Sequence, residues 1–315
     1  MLFNEFGLKV LDGRELDGIR SVASERSKFA CHLADWSEPL EAIRPMHVFH
    51  KFRYIAAKDS AKGGKLSRAT ALRCFSLISA IMNQAVLEGI IATNPCIGLK
   101  LPKLQAQQTE DTWAYLTLEE QKAVQSCEAI PEYARLLLQV AWGTGLRAGE
   151  MWALELRDVH LEGENPYVFV RFGSHGKLPK SGKTRRVELF GHGLAAMKRW
   201  LEILPSYASE NPHGLCFPGS RGQRRQTGGP ETTEGGKKVE LLSRWLGIAG
   251  VTKHLRWHDL RHTFCTSLIS GYWGRTWSLD EVRDIAGHSS VTTTQRYAHM
   301  SDCARKKAAR ETLAA

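Results

Sequence analysis

Between Leu99 and Asp111 the chain reads LKLPKLQAQQTED, a stretch with neither a two-residue nor a helical hydrophobic period, a proline near its start and a polar end. Such a segment has no apolar face to bury, so the sequences on either side must each build a core of their own. The length of 315 residues agrees, because domains of about 100–200 residues are the norm. We place a first domain at residues 1–100, a linker at 101–112 and a second domain at 113–315.

The first domain reads as helical. Ala71, Phe75, Ile78, Met82 and Ala85 recur every three or four residues and mark one helix face. Asn94-Pro95 closes that region, since a residue before proline is pushed out of helical space. Thr117-Leu-Glu-Glu120 then has the capping-box pattern of a fresh helix start, and Tyr133–Trp142 is a strongly apolar helix. After Trp152 the texture changes. Val168–Phe172 and Arg186–Phe190 predict two short strands of an antiparallel hairpin, and Gly219–Gly236 reads as a loop. Helices resume near Leu241, Trp257 and Leu279, with a second capping box at Ser278-Leu-Asp-Glu281.

Composition removes several classes. With 43% hydrophobic and 24% charged residues the chain is not disordered as a whole. It holds no run of about 18 consecutive apolar residues, so no membrane span is expected. Met1–Val10 lacks a basic start, so no secretory signal is expected either. Seven scattered cysteines without a C-x-x-C pair argue against a disulfide framework or a structural zinc site, and for a reducing, cytoplasmic setting.

The net charge of +10 favours a polyanionic partner, and its distribution is uneven. Residues 51–73 carry Lys51, Arg53, Lys58, Lys62, Lys65, Arg68 and Arg73 against Asp59 alone. Residues 171–190 carry Arg171, Lys177, Lys180, Lys183, Arg185 and Arg186 against Glu188. Either cluster alone is a solvated face. Two of them suggest a track of phosphate contacts, with Lys51, Arg53, Lys62, Lys65, Arg68, Arg73, Lys183 and Arg185 as candidates.

The residues with chemical potential lie in the second domain. His258, Arg261 and His262 share a helix face. Two histidines four apart suit a metal, but a third ligand is missing and the arginine between them repels a cation; no metal is expected. A histidine hydrogen-bonded in a core is the plainer alternative. In Gly143-Thr-Gly-Leu-Arg147-Ala-Gly-Glu150 an arginine follows a glycine turn, with an acid positioned three residues on to orient it. Ala286-Gly-His288 leads through a polar segment to Tyr297. Arginines, histidines and a tyrosine are the groups needed to bind a phosphodiester and attack it.

These segments resemble the tyrosine recombinases of the phage-integrase family. TGLRAGE, KSGKTRRVEL, HDLRHTF and AGHSSVTTTQRYAH occur in the family's order across residues 143–298, and NPCIGLKLPK resembles its domain junction. The resemblance implies a mostly α fold with a small antiparallel β-sheet in the catalytic domain. A helical core-binding domain and the catalytic domain would form a C-shaped clamp on double-stranded DNA. It implies Tyr297 as the nucleophile forming a 3′-phosphotyrosyl link, Arg147 and Arg261 as the phosphate clamp, and His288 as a further donor to the phosphate. His258 takes base or orienting duty, and Glu150 a supporting one. A hairpin lysine protonates the leaving 5′-oxygen; alignment of Arg186–Leu189 selects Lys180, with Lys183 and Lys177 as alternatives. Neither metal nor ATP nor another cofactor is implied.

The resemblance further implies a homotetramer on paired sites, a Holliday junction, DNA-bending accessory proteins as possible partners, and action on the nucleoid. We read the chain as a recombinase of a mobile element. A host dimer-resolution (Xer-type) enzyme, an integron-type integrase, a type IB topoisomerase and a non-catalytic DNA-binding accessory protein are the rivals. The sequence departs from the family at Glu188, where proline is usual, at Ala286, where leucine is common, and in the long aromatic connection Ser270–Trp277.

Overall fold

A computed structural model describes residues 1–60, 63–102, 114–173, 178, 183–225, 231–234, 237–288, 294, 295 and 297, with backbone only over 231–234 and 237–239. The chain forms two compact units, Met1–Glu110 and Asp111–Ala315.

Unit 1 is built from α1 (Phe3–Leu16), α2 (Val22–His32), α3 (Pro45–Ala57) and α4 (Arg68–Leu87). On α1 the buried residues Phe3, Phe6, Val10 and Leu11 fall on one face, and Gly7 lets that face press onto α2. A Cβ at Gly7 would stand 2.4 Å from the Phe29 ring. Ser67 caps α4 by accepting from the Thr70 amide at 3.2 Å. By length and composition α4 qualifies as a membrane-crossing helix. Its residues Ala71, Cys74, Leu77, Ile78, Ile81, Met82 and Ala85 are nevertheless buried in the unit's own core, with Phe52, Phe29 and Phe3. After α4, Asn94 ties the chain back: its side chain donates to Ser79 O at 3.0 Å and to Asn83 Oδ1 at 2.7 Å, and accepts from the Cys96 amide at 2.8 Å.

Unit 2 opens on α5 (Leu118–Ser126), where Thr117 and Glu120 form the expected capping box. The mostly buried α6 (Glu132–Thr144) follows and ends at Gly145, whose φ of 63° is left-handed. A short α7 (Ala148–Met151) leads to a sheet of three strands, β1 (Val159–His160), β2 (Tyr167–Val170) and β3 (Arg185–Glu188), antiparallel in that order. Val168 pairs with both Val159 and Val187, so β1 extends the expected hairpin by a strand. Two residues long, β1 is too brief to show a period of its own. Next is α8 (Gly191–Tyr207), which crosses α6 where Gly143 and Gly193 meet. A Cβ on Gly143 would lie 2.6 Å from the Gly193 Cα, so the two backbones touch.

The segment 219–236 is not loop throughout. β4 (Glu231–Glu234) pairs with β5 (Lys237–Glu240), Thr232 opposite Val239. In the sequence, Gly-Gly between two four-residue runs is a pattern that favours a β-hairpin. α9 (Leu241–Ile248), α10 (Trp257–Ile269) and α11 (Leu279–Ala286) complete the described elements. The long connection from α10 to α11 turns at Gly271 and Gly274, both at positive φ. Its aromatics pack inward: Trp273 lies near His192 and Phe264, and Trp277 stacks on Phe190.

Candidate active site

Local rules place the first members. Because Gly145 stops α6 in a left-handed turn, Arg147 emerges extended and becomes the N-cap of α7. Glu150 then accepts from the Arg147 amide at 3.0 Å and from its Nη1 at 2.9 Å. The same carboxylate accepts two bonds from Arg185 on β3, at 2.9 and 2.7 Å, and is 3% exposed. Burial pushes the Glu150 carboxyl up, but the Arg185 guanidinium and then Arg147 outweigh it and hold the group at about 2. Glu150 is thus an ionised post between two arginines.

Opposite stands α10, which carries His258, Arg261 and His262. Arg261 is 2% exposed; its Nη1 donates to Gly145 O at 2.7 Å and its Nη2 to Ala286 O at 2.5 Å. Those carbonyls end α6 and α11, where a helix presents partial negative charge. Burial, with Arg147 nearby, draws Arg261 down to about 10, still charged at neutral pH. The turn after α11 is held from three sides. Arg147 Nη2 reaches Gly287 O at 3.5 Å, and a Cβ at Gly287 would strike the Arg185 side chain at 2.7 Å. Gly287 also needs its φ of 69°, so glycine is required there twice over.

His288 follows that turn and shares a hydrogen bond with Thr294 at 2.9 Å. Burial and the charges of Arg261 and Arg147 push it down to about 3, so it is neutral. On the exposed side of α10, His258 is drawn below the ordinary imidazole range by desolvation and then by Arg261. Tyr297 is 2% exposed and packs with Phe264, Cys265, Leu268, Val282 and Ala286. Its hydroxyl is hydrogen-bonded to Nδ1 of His262. His262 and His258 meet edge to face at 5.0 Å. Burial, then His258, lowers His262 to about 4.

Arg147, Glu150, Arg261, His258, His288 and Tyr297 therefore gather in unit 2, joined by His262 and Arg185. From the sequence, His262 is a metal ligand or a core histidine and nothing more. Its spacing from His258 is legible there, but its bond to Tyr297 spans 35 residues and leaves no local signal. Lys180, Lys177 and Lys62 lie outside the described residues, as does the segment 301–315.

The candidate phosphate contacts divide. Arg53, Arg68 and Arg73 are exposed on α3 and α4, and Lys183 is exposed just before β3. Lys65 is exposed but paired with Asp59 at 2.7 Å. Two candidates are committed elsewhere. Lys51 is only 10% exposed at its side chain, bonded to Asp35 at 2.8 Å and set over the rings of Trp36 and Tyr54. Arg185 gives both Nη atoms to Glu150, so it is a strut of the site rather than a free surface cation.

Residues 116–303 match the phage integrase family. Tyrosine recombinase XerC of Alcanivorax borkumensis is 25% identical over 84% of this chain and 78% of its own length. XerC of Xanthomonas campestris pv. campestris is 30% identical over 67% of this chain and 58% of its own. Among solved structures, the Tn1549 transposon integrase in complex with a circular intermediate DNA superposes with a TM-score of 0.73 at 18% identity, covering 94% of this chain and 95% of that one. A lambda integrase dimer bound to a core site gives 0.66 at 18% identity, with 94% and 95% covered. The chain belongs to the phage integrase family, the tyrosine-type site-specific recombinases, and has that family's mostly helical fold with a small antiparallel sheet.

Proposed function

We propose that this recombinase cleaves and rejoins double-stranded DNA through Tyr297, which attacks the scissile phosphorus to give a 3′-phosphotyrosyl link and a free 5′-hydroxyl. The observation that carries the reading is the convergence of Arg147, Arg261, His288 and Tyr297, from three separate stretches of sequence, within one unit. Arg147 and Arg261 meet the two non-bridging oxygens, whose charge grows in the transition state, and guanidinium forks suit that planar target. His288 and His258 add donors at the same phosphate. Lys180 on the hairpin protonates the departing oxygen. Glu150 and Arg185 position Arg147, while Arg53, Arg68, Arg73 and Lys183 contact DNA phosphates along the track. Conserving the bond energy in the tyrosyl link lets rejoining proceed without a nucleotide cofactor.

The unit formed by residues 1–100 serves as core-binding domain and the unit beyond the linker as catalytic domain. Four protomers act on paired sites through a Holliday junction, with DNA-bending proteins as possible partners, in the cytoplasm on the nucleoid. A DNA partner is supported by solved relatives: the Tn1549 integrase with circular intermediate DNA, and XerH bound to palindromic difH substrate. We assign the reaction to a mobile element. The XerC relatives favour a second reading, host dimer resolution. An att-like repeat flanking the reading frame supports the first; recombination at a chromosomal dif-like site supports the second.

The test is a nicked suicide half-site incubated with protein in excess EDTA. A covalent adduct mapping to Tyr297 is the expected product, since the charge is met by arginines. An adduct on another residue, or cleavage restored only by added metal, would overturn the assignment.

A further inference from the structure

Two helices of unit 2 begin in the same way. Arg147 is the extended N-cap of α7 and Arg256 that of α10, and each is followed three residues later by an acid that is 3% exposed. Glu150 accepts from the Arg147 amide and guanidinium. Asp259 accepts from the Arg256 amide at 2.7 Å and from its Nε and Nη2 at 3.1 and 3.0 Å. We propose that Arg256 is a DNA-binding residue that takes a phosphate flanking the scissile one on the cleaved strand. The proposal rests on the reading that unit 2 cleaves DNA through Tyr297.

The chain leading into α10 sets where this side chain goes. Val251, Leu255 and Trp257 are buried, while Thr252, His254, Arg256 and His258 are exposed. Trp257 holds the inner side, edge to face with Trp152 at 4.9 Å. Arg256 and His258 flank it and open to solvent. Behind desolvation and nearer charges, Arg256 is among the groups that disfavour the imidazolium of His258 and of His262. Its guanidinium therefore stands within electrostatic range of the site. Two residues of chain span at most about 7 Å, and a DNA strand advances about 3.4 Å of axis per nucleotide. A strand whose scissile phosphate meets His258 thus carries a neighbouring phosphate past Arg256.

Arg256 also has donors available. A guanidinium carries five N–H groups, and here Nε and one hydrogen of Nη2 go to Asp259. Both hydrogens of Nη1 remain. The side chain is 69% exposed, and among the described residues Asp259 is its ion-pair partner. Glu240 adds a weaker attraction from further away. Ordering a long exposed side chain on a ligand ordinarily costs conformational freedom. A buried carboxylate already fixes the plane of this guanidinium, so less freedom is lost when DNA arrives.

Arg147 shows the same device nearer the chemistry, 27% exposed at its side chain with Glu150 behind it and the Gly287 carbonyl in front. Arg256 has solvent in front. Neither position holds one of the residues favoured for capping a helix, so the guanidinium is what sets both apart.

Half-site affinity is measured by equilibrium titration over a range of salt, in a full-length Tyr297→Phe background that keeps binding free of covalent capture. The duplex is used unmodified, or with one neutral methylphosphonate linkage immediately 5′ or immediately 3′ of the scissile phosphate. Arg256→Ala should bind the unmodified half-site about tenfold more weakly, with the slope of log affinity against log salt lowered by about 0.9. One of the two neutral linkages should weaken the parent by a similar factor but Arg256→Ala by less than about twofold, the non-additivity of a direct contact. A role confined to starting α10 would shift affinity alike on all the duplexes and leave the slope unchanged. That result, or an Arg256→Ala protein as tight as its parent, would overturn the proposal. Arg256→Gln keeps a donor for Asp259 while removing the charge, and gives the same comparison should Arg256→Ala fail to fold. Failure of the underlying reading looks different: protein with Tyr297 intact forms no covalent adduct on a suicide half-site, or Tyr297→Phe still forms one.

Discussion

The exposed cations of α3 and α4 and the arginines at the site carry the same charge under different physics. Arg53, Arg68 and Arg73 stand in solvent, where any one of them contributes a screened attraction that another cation could supply. Arg147, Arg185 and Arg261 are each tied to a carboxylate or a backbone carbonyl, and Arg261 is 2% exposed. Their directions are fixed before any substrate arrives, and preorganised dipoles act most strongly where water is excluded. One region collects charge; the other fixes geometry. Lys51 shows that the border does not follow sequence, because it sits in the first cluster yet is buried against Asp35, Trp36 and Tyr54.

The contrast can be broken by substitution, beginning with the largest effect. Tyr297→Phe should reduce covalent adduct to background in a suicide-substrate assay while half-site binding persists, since a single hydroxyl is lost from a packed side chain. Arg261→Lys should follow, with cleavage slower by about 10²–10³ in single-turnover assays. An ammonium group cannot span Gly145 O and Ala286 O in the way the two Nη atoms do. A rate near wild type would mean that charge alone suffices and would erase the distinction.

Glu150→Gln tests the post beneath the arginines. Removing one partner of a buried pair should cost about 3–5 kcal/mol in denaturant unfolding. The pH dependence has a definite sign. Glu150 is held at about 2, below its ordinary 4.5, so its contribution is complete above the ordinary value and fades as pH falls toward about 2. The wild-type protein should therefore lose stability across that acid range more steeply than Glu150→Gln. Equal acid limbs would show that the carboxylate is not held ionised by its arginines.

Smallest per residue are the exposed cations. Replacing Arg53, Arg68 and Arg73 with Ala should lower the slope of log binding constant against log salt by about 0.9 for each phosphate no longer neutralised, with little change in cleavage rate at saturation. Lys51→Ala should leave that slope alone and instead cost about 1 kcal/mol of stability, measured by unfolding. A change in salt slope for Lys51→Ala would return it to the group of phosphate-binding cations.

Much was legible because it depends on neighbours within a turn. The capping boxes at Thr117 and Ser278, the apolar stripe of α4, the glycine turn before Arg147 and the Arg147–Glu150 pair all follow from residues three or four apart. Other features escaped for reasons that are equally physical. A two-residue β1 has no period to detect, and the hairpin of β4 and β5 hid in a stretch rich in glycine and arginine. The long connection after α10 gave no sign that Trp273 and Trp277 would turn inward, because its path depends on positive φ at Gly271 and Gly274.

By itself the sequence determined the apolar face of α4, the capped starts of α5 and α11 and the hairpin of β2 and β3, since each is written in local spacing and residue chemistry. Only the tertiary structure decided which basic residues are free and which are struts. It turned Arg185 from a surface cation into a ligand of Glu150, and His262 from a spare histidine into the partner of Tyr297. Those pairs lie 35 residues apart in sequence, and the distance is closed by packing of α6, α10, β3 and the turn at Gly287, a cooperative outcome that no short window of sequence contains.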